Sequence, residues 1–512
     1  MFVIEKNMKH NLFFGFLILM GTLVGVLFYF LPMSPLWLDE AQSAAISGES
    51  FSDLFDALRH DGHPPLYYFI LGAWVDLFGD TSFALRALSG FFGVLSIFLT
   101  WSVSRLHMDR RASLISVVLM AISPFAIRYA TEVRMYSMLI VLILLMYLVF
   151  YWTNSKPSWK RYSCLSLLVT FLLFTHYWSL FFVSIIFLSF LLKMRKSPTE
   201  EKKHTKSLML AVVIGSTPFI LWLPVFLDQL LHTGTPWAKA PRPTVVIALT
   251  LEAFGGGKGS EALLVAVAMS VLVFLGVFAK KIRGTNTLQL GWSELIWLKE
   301  IGLISLGTVL FGSIVTLLTD SAYQGRYGVF IFPFVILASS VALARLPKEV
   351  GVAVLAVFIL LCVVSVAREL SRDRTQIGEI AEAIVDNGKS GDLVVFCPDQ
   401  LAPAGSRILS ERFETFAYPN LDSGERVDWY DYEKRNSAAD PAEVADQLLK
   451  DKENIKNIWL VWIDGFETFG KQCSSFRTEL GQRLAGGKTF INADGDKYYN
   501  PSNLVQYSNI DR

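Results

Sequence analysis

The sequence predicts a membrane all-α fold with about eleven transmembrane helices, interfacial helices in the first outward loop, and a C-terminal soluble α/β domain. Three observations predict it. Of 512 residues, 53% are hydrophobic and only 18% charged, against roughly 25% charged in soluble globular chains, and mean hydropathy is positive. Eleven apolar windows approach or reach the ~20 residues that a spanning helix needs. Charge is also divided along the chain: residues before Arg368 carry a net +8 and the rest a net −7. A wholly water-soluble enzyme, a disordered chain and a nucleic-acid-binding protein are thereby excluded. The division places a membrane domain at 1–367 and a soluble, extracytoplasmic α/β domain at 368–512.

The windows lie near 11–32, 83–104, 112–127, 135–152, 163–175, 178–192, 207–227, 262–279, 301–318, 327–344 and 349–367, with 163–175 and 178–192 the short ones. Lys6 and Lys9 precede the first, and no small-residue cleavage site closes it, so it reads as a retained anchor. One further window, 65–79, is short, interrupted by Asp76 and preceded by Pro64-Pro65. If it lies in the interface rather than spanning, 20 of the 28 basic residues of the membrane part share the cytoplasmic face, as the positive-inside rule requires. The loop from Pro32 to Ser82 and the domain after Arg368 then face outward. Eight basic residues remain on the outward side: Arg59, Arg86, Arg128, Arg134, Lys239, Arg242, Lys258 and Arg326. An anionic ligand is one reason for cations on the side that topology disfavours.

In the tail, GEIAEAIVDNG has helical spacing and ends in Gly388 at a helix C′ position. DLVVFC is a short strand, ADQLLKDKENI a helix and NIWLVWID a second strand, the alternation of a small α/β layer domain. Neither a glycine-rich phosphate loop nor a nucleophile elbow is present. Cys397 and Cys473 both sit in this domain, where an oxidising compartment would permit a disulfide.

Residues able to do chemistry crowd the outward loops. Asp39 and Glu40 follow the first span; they suit a helix start with Asp39 as N-cap and Gln42 at N3, and equally a carboxylate serving as general base or metal ligand. His60, Asp61 and His63 form a polar cluster before the proline pair. Arg128, Glu132 and Tyr136 fall on one helical face at i, i+4 and i+8, beside Arg134. Their bland reading is an Arg128–Glu132 pair worth a few tenths of a kcal/mol; the functional one is guanidinium recognition of phosphate. Gln324-Gly325-Arg326-Tyr327 pairs Arg with Tyr again, and His176 reads as a satisfied interface residue. Carboxylates, arginines and aromatics at one depth suit chemistry on a lipid-linked phosphate.

The order Leu38-Asp39-Glu40, His63-Pro-Pro-Leu-Tyr-Tyr, Phe83-Ala-Leu-Arg-Ala-Leu-Ser, Arg128-Tyr-Ala-Thr-Glu-Val-Arg-Met-Tyr-Ser and Gln324-Gly-Arg-Tyr resembles the bacterial glycosyltransferase family 39 group, over about residues 10–345. That group includes protein mannosyltransferases, aminoarabinose lipid A transferases and lipopolysaccharide galacturonic acid transferases. The resemblance implies a GT-C fold and an inner-membrane, multi-pass enzyme that takes one sugar from a polyprenyl phosphate, with inversion, on the extracytoplasmic side. It implies Asp39 and Glu40 as the catalytic acidic pair and His63 in the segment approaching the donor. Arg128, Arg134, Tyr136, Arg326 and Tyr327 become donor and phosphate ligands by position. A divalent cation held by Asp39, Glu40 and His63 is a further implication, although Gly62 stands where some relatives have a glutamate. Expected partners are a polyprenyl-phosphate-linked sugar, a lipid, glycan or protein acceptor, and membrane lipids, with no nucleic acid. A transporter or flippase of lipid-linked sugars is the main rival; it calls for charged or broken helices at mid-depth, often with repeats. A sensor with an inert membrane part is the third reading.

Overall fold

The computed structural model describes residues 2–31, 34–196, 198–234, 241–282, 287–292, 294–409, 412–450 and 457–508. The helices are α1 (Phe2–Phe28), α2 (Leu38–Ser47), α3 (Phe51–Arg59), α4 (Leu66–Phe78), α5 (Ser82–Ser104), α6 (Arg110–Ile122), α7 (Pro124–Ala130), α8 (Tyr136–Ser155) and α9 (Trp159–Thr175). They continue with α10 (Trp178–Lys196), α11 (Thr199–Ser216), α12 (Phe219–His232), α13 (Pro243–Gly255), α14 (Ser260–Phe278), α15 (Ile296–Leu318), α16 (Phe332–Arg345) and α17 (Lys348–Leu370). A short ribbon, β1 (Ala279–Lys281) with β2 (Leu288–Leu290), follows α14.

Each of the eleven apolar windows holds a helix or a bent helix pair. Among the described residues seven helices are long and apolar enough to cross a membrane, or nine if the bent pairs α6–α7 and α11–α12 each count as one span. The remaining two windows form α9, of 17 residues, and α16, of 14. The bends measure 52° and 57° and fall at Pro124 and Pro218, where a missing N–H and the ring's clash with the preceding turn break the helix. The thirteen-residue α4 is about 20 Å long, too short to cross a ~30 Å hydrocarbon core. It buries Tyr67, Tyr68 and Leu71 and exposes Leu77 and Phe78.

The chain divides into two compact units. The first comprises Met1–Pro32, Arg86–Leu223 and Ala240–Leu370; the second comprises Met33–Leu85, Pro224–Lys239 and Ser371–Arg512. In the first, apolar helices pack tightly enough for polar groups to be shared between them. Tyr29 Oη donates to the Met120 carbonyl at 3.2 Å, and Arg345 caps the end of α14 by donating to the Gly276 carbonyl at 2.9 Å, since the last carbonyls of a helix lack partners within it.

The second unit joins the first loop to the C-terminal sheet domain. Its helices are α18 (Ile377–Asn387), α19 (Ala402–Leu409), α20 (Tyr432–Ala438), α21 (Pro441–Leu449) and α22 (Gln472–Arg483). Strands β3 (Leu393–Cys397), β4 (Glu414–Ala417), β5 (Asn457–Trp462), β6 (Ala485–Ile491) and β7 (Asn503–Ser508) form one sheet in the order β4-β3-β5-β7-β6. β3 runs parallel to both neighbours, while β5–β7 and β7–β6 are antiparallel. Every residue of β3 is buried, the pattern of a strand covered on both faces. Cys397 ends β3 and is joined to Cys473 on α22, across a sequence separation of 76. Gly388 ends α18 as expected, but at φ −85° rather than in the left-handed region. Its value there is space: a Cβ would press on the Ile384 carbonyl and the Phe413 ring.

Candidate functional site

Within the second unit, α2 carries the acidic pair. The helix begins one residue before Asp39, so Asp39 is not its cap. Trp37 occupies the N-cap, and its backbone N–H reaches Glu40 Oε2 at 3.4 Å. The expected cap at Asp39 with Gln42 at N3 is therefore two residues too late; the cap is Trp37 with Glu40 at N3, which places both acids in the first turn, where helix N–H groups favour negative charge. The two neighbours then diverge. Glu40 is fully buried and its Oε1 accepts from Arg374 Nη1 at 3.2 Å, whereas Asp39 keeps part of its surface accessible.

The second polar cluster centres on Asp61. One of its oxygens accepts from Gln42 Nε2 at 3.2 Å; the other accepts from Tyr68 Oη at 2.9 Å and lies 2.7 Å from His63 Nδ1. Asp61 thereby ties α2, the His63-Pro64 segment and α4 together. His60 turns elsewhere: its Nδ1 lies 2.7 Å from Asp428 Oδ1, which belongs to the tail. No group of three or more His, Cys, Asp or Glu side chains comes together as a cation site among the described residues. Glu40 Oε1 is engaged by Arg374 and His63 Nδ1 by Asp61, and no step is routed through a metal.

Within the first unit, α7, α8 and the 3-10 turn Gly325–Phe330 assemble the arginine–tyrosine cluster. Arg128 Nε lies 3.3 Å from Glu132 Oε2, and its Nη1 donates to Glu369 Oε1 at 2.9 Å. Arg134 is buried, and its backbone carbonyl accepts from Ser89 Oγ at 3.4 Å. Arg326 stands over the Tyr136 ring at 5.9 Å. Tyr136 meets Tyr129 at 4.9 Å and His176 at 5.8 Å, and Tyr327 stacks on Trp178 at 4.6 Å. This is a wall of aromatic faces with a guanidinium against it, a surface suited to a sugar and an anion. His176 Nδ1 accepts from the Trp178 N–H at 3.1 Å, leaving the ring proton on Nε2. Gly325 is needed because the turn lies against α13: a Cβ would collide with the Leu249 carbonyl oxygen and the Ala253 methyl. Lys239 lies outside the described residues.

Sequence reasoning missed two participants. Arg374 and Asp428 sit in the tail, 334 and 368 positions from the loop residues that they bind; no local spacing signals such a pairing.

Residues 62–222 match the family model described as dolichyl-phosphate-mannose-protein mannosyltransferase. The structure of ArnT from Cupriavidus metallidurans in the apo state superimposes with a TM-score of 0.62, covering 96% of this chain and 98% of that one at 14% identity. The chain has the GT-C fold. The same ArnT bound to undecaprenyl phosphate gives 0.60 at the same coverage and identity. The arabinofuranosyltransferase AftD from Mycobacteria, another GT-C protein, gives 0.52 at 13% identity, over 96% of this chain and 39% of AftD. No curated protein matches the chain by sequence.

Proposed function

We propose that the chain is an integral membrane glycosyltransferase that moves one sugar from a polyprenyl-phosphate donor to an acceptor on the extracytoplasmic face, with inversion. Asp39 is the general base. It takes the proton of the acceptor hydroxyl as that oxygen bonds to the anomeric carbon; the carbon–oxygen bond to phosphate breaks, and polyprenyl phosphate leaves with the electron pair. Arg134 and Arg326 supply positive charge for the phosphate, and Arg128, paired with Glu132 and Glu369, braces α7. Tyr136 and Tyr327 supply faces for the sugar, and His63, oriented by Asp61, serves the donor side.

The observation that carries this reading is the separate fate of two adjacent acids on a GT-C fold: Glu40 is buried against Arg374, whereas Asp39 remains partly accessible in the same turn. ArnT was captured with undecaprenyl phosphate, which supports the donor class. A disulfide within the second unit supports an oxidising compartment for it, and hence the outward orientation.

The test uses purified protein in detergent, radiolabelled polyprenyl-phosphate sugars and a membrane extract as the acceptor source. Asp39→Asn is expected to lower turnover about 10²–10⁴-fold, the range for losing a general base. Turnover near the wild-type rate in that variant removes Asp39 from the mechanism.

A further inference from the structure

We infer that Arg374 is a positioning residue for α2, and that one task of the C-terminal sheet domain is to hold the acid-bearing helix in register. The inference deepens the proposed function and rests on Asp39 being its base.

The Glu40–Arg374 pair is buried on both sides, with side chains 0% and 7% exposed. A buried pair of this kind is costly to break, because the survivor is left as an uncompensated charge. Arg374 is itself held firmly. Its carbonyl accepts from the Asn500 N–H at 2.9 Å, the Gln376 N–H donates to the Asn500 carbonyl at 3.0 Å, and the Tyr499 N–H donates to the Asp373 carbonyl at 3.3 Å. The run carrying Arg374 is therefore laced to the run that leads into β7.

The same two runs receive the start of α2. Tyr499 meets the Trp37 ring edge-on at 5.7 Å. A Cβ on Gly378 would come within 2.8 Å of Pro35 Cγ, so α18 sits directly against the approach to the helix. Two residues beyond Glu40 the tail grips α2 again. Gln42 Nε2 donates to the Val427 carbonyl at 3.0 Å, and the Val427 N–H donates back to Gln42 Oε1 at 2.8 Å. Contacts at 37, 40 and 42 fix both rotation and translation of a ten-residue helix. Because successive residues are about 100° apart around a helix axis, a small roll of α2 swings the Asp39 carboxylate sideways. A displacement of 1 Å at a reacting group can cost about 10²-fold in rate.

The experiment reads α2 directly. Hydrogen exchange of the amides of α2 is measured in the full-length protein in detergent, alongside turnover and binding of undecaprenyl phosphate, for wild type, Arg374→Met, Arg374→Lys and the double variant Glu40→Gln/Arg374→Met. In Arg374→Met we expect faster exchange confined to α2 and a fall in turnover of about 10²-fold, with undecaprenyl phosphate binding within about 3-fold of wild type. The double variant, which removes both charges, should regain most of the protection of α2, a recovery that general loss of structure would not produce. If Arg374→Met does not fold, Arg374→Lys carries the same comparison with smaller changes. Wild-type exchange in α2 together with wild-type turnover in the single variants overturns the inference, as does a double variant no better than Arg374→Met. Should Asp39→Asn keep full turnover while Arg374→Met loosens α2, the base assignment fails and the positioning role stands.

Discussion

Asp399, at the carboxyl end of β3, should make the second unit less stable as pH rises, and Asp399→Asn should abolish that dependence. The carboxyl is buried beneath the sheet, where Tyr432 Oη donates to it at 2.5 Å and Gln400 Nε2 in turn donates to the Tyr432 oxygen at 3.1 Å. Burial raises its pKa to about 7, against the opposing pull of the Tyr432 hydrogen bond and Arg435. The unfolded chain has an aspartate pKa near 3.9. Below about pH 4 both states are protonated and Asp399 does not affect stability. Between about pH 4 and 7 the unfolded state gives up the proton while the folded state keeps it, so unfolding becomes easier as pH rises. Three pH units at ~1.4 kcal/mol each amount to about 4 kcal/mol, fully lost above pH 7. Asparagine cannot ionise, and its amide oxygen can accept from Tyr432. The stability difference between Asp399→Asn and wild type should therefore grow from pH 4.5 to 8 by about 3 kcal/mol. Asp422, whose pKa burial also raises, is present in both proteins and adds its own fall in stability with rising pH to each. Tryptophan fluorescence during unfolding, with fully buried Trp459 as the reporter in β5, measures it. A difference independent of pH would refute the reasoning.

Reduction of the Cys397–Cys473 bond, or Cys473→Ala, frees a 76-residue separation and should cost about 4 kcal/mol in the chain-entropy picture. Unfolding curves with and without dithiothreitol measure this, and identical curves would mean that the bond does not stabilise the fold. Gly325→Ala forces a methyl into the Leu249 carbonyl oxygen. Overpacking of that kind costs roughly 1–3 kcal/mol, and the shift reaches Arg326 next door, so both the unfolding temperature and binding of undecaprenyl phosphate should fall. Wild-type values for both would show that the turn has room to move.

The membrane helices were legible because bilayer thickness turns a composition into a length. α9 and α16 are the exceptions, being helices in the expected places but only 17 and 14 residues long. In the tail, α18, β3 and β5 followed from periodicity, while β4, β6 and β7 did not; the helix expected over 445–455 overlaps α21 only at 445–449, and 451–455 lie outside the described residues. β4 has four residues and β6 begins Ala-Gly-Gly, so neither carries a strong alternating pattern. The Arg128–Glu132 pair was readable from its i, i+4 spacing. Glu369, which shares Arg128, was not, since it lies 241 residues away. The limit is physical: hydropathy and helical spacing are local, whereas the partners that fix Glu40, His60 and Arg128 come from distant parts of the chain.

Those distant partners also bear on the choice between transferase and transporter. Broken helices were the expected mark of a transporter, and two bent pairs are present. Each bend has a covalent cause in its own proline, so neither needs a moving hinge to explain it. The break that carries Arg128 is moreover tied down within the first unit. Arg128 on α7 reaches Glu132 in the following turn and Glu369 near the end of α17. One cation between two carboxylates leaves this trio with a formal charge of −1, a poor place to receive a phosphate and a good one to brace two helices. On the proposed reading, recognition of the lipid phosphate falls to Arg134 and Arg326, and Arg128 is the strut that keeps α7 still. A rigid bracket of this kind suits the proposed enzyme, which would hold its donor in one geometry during attack.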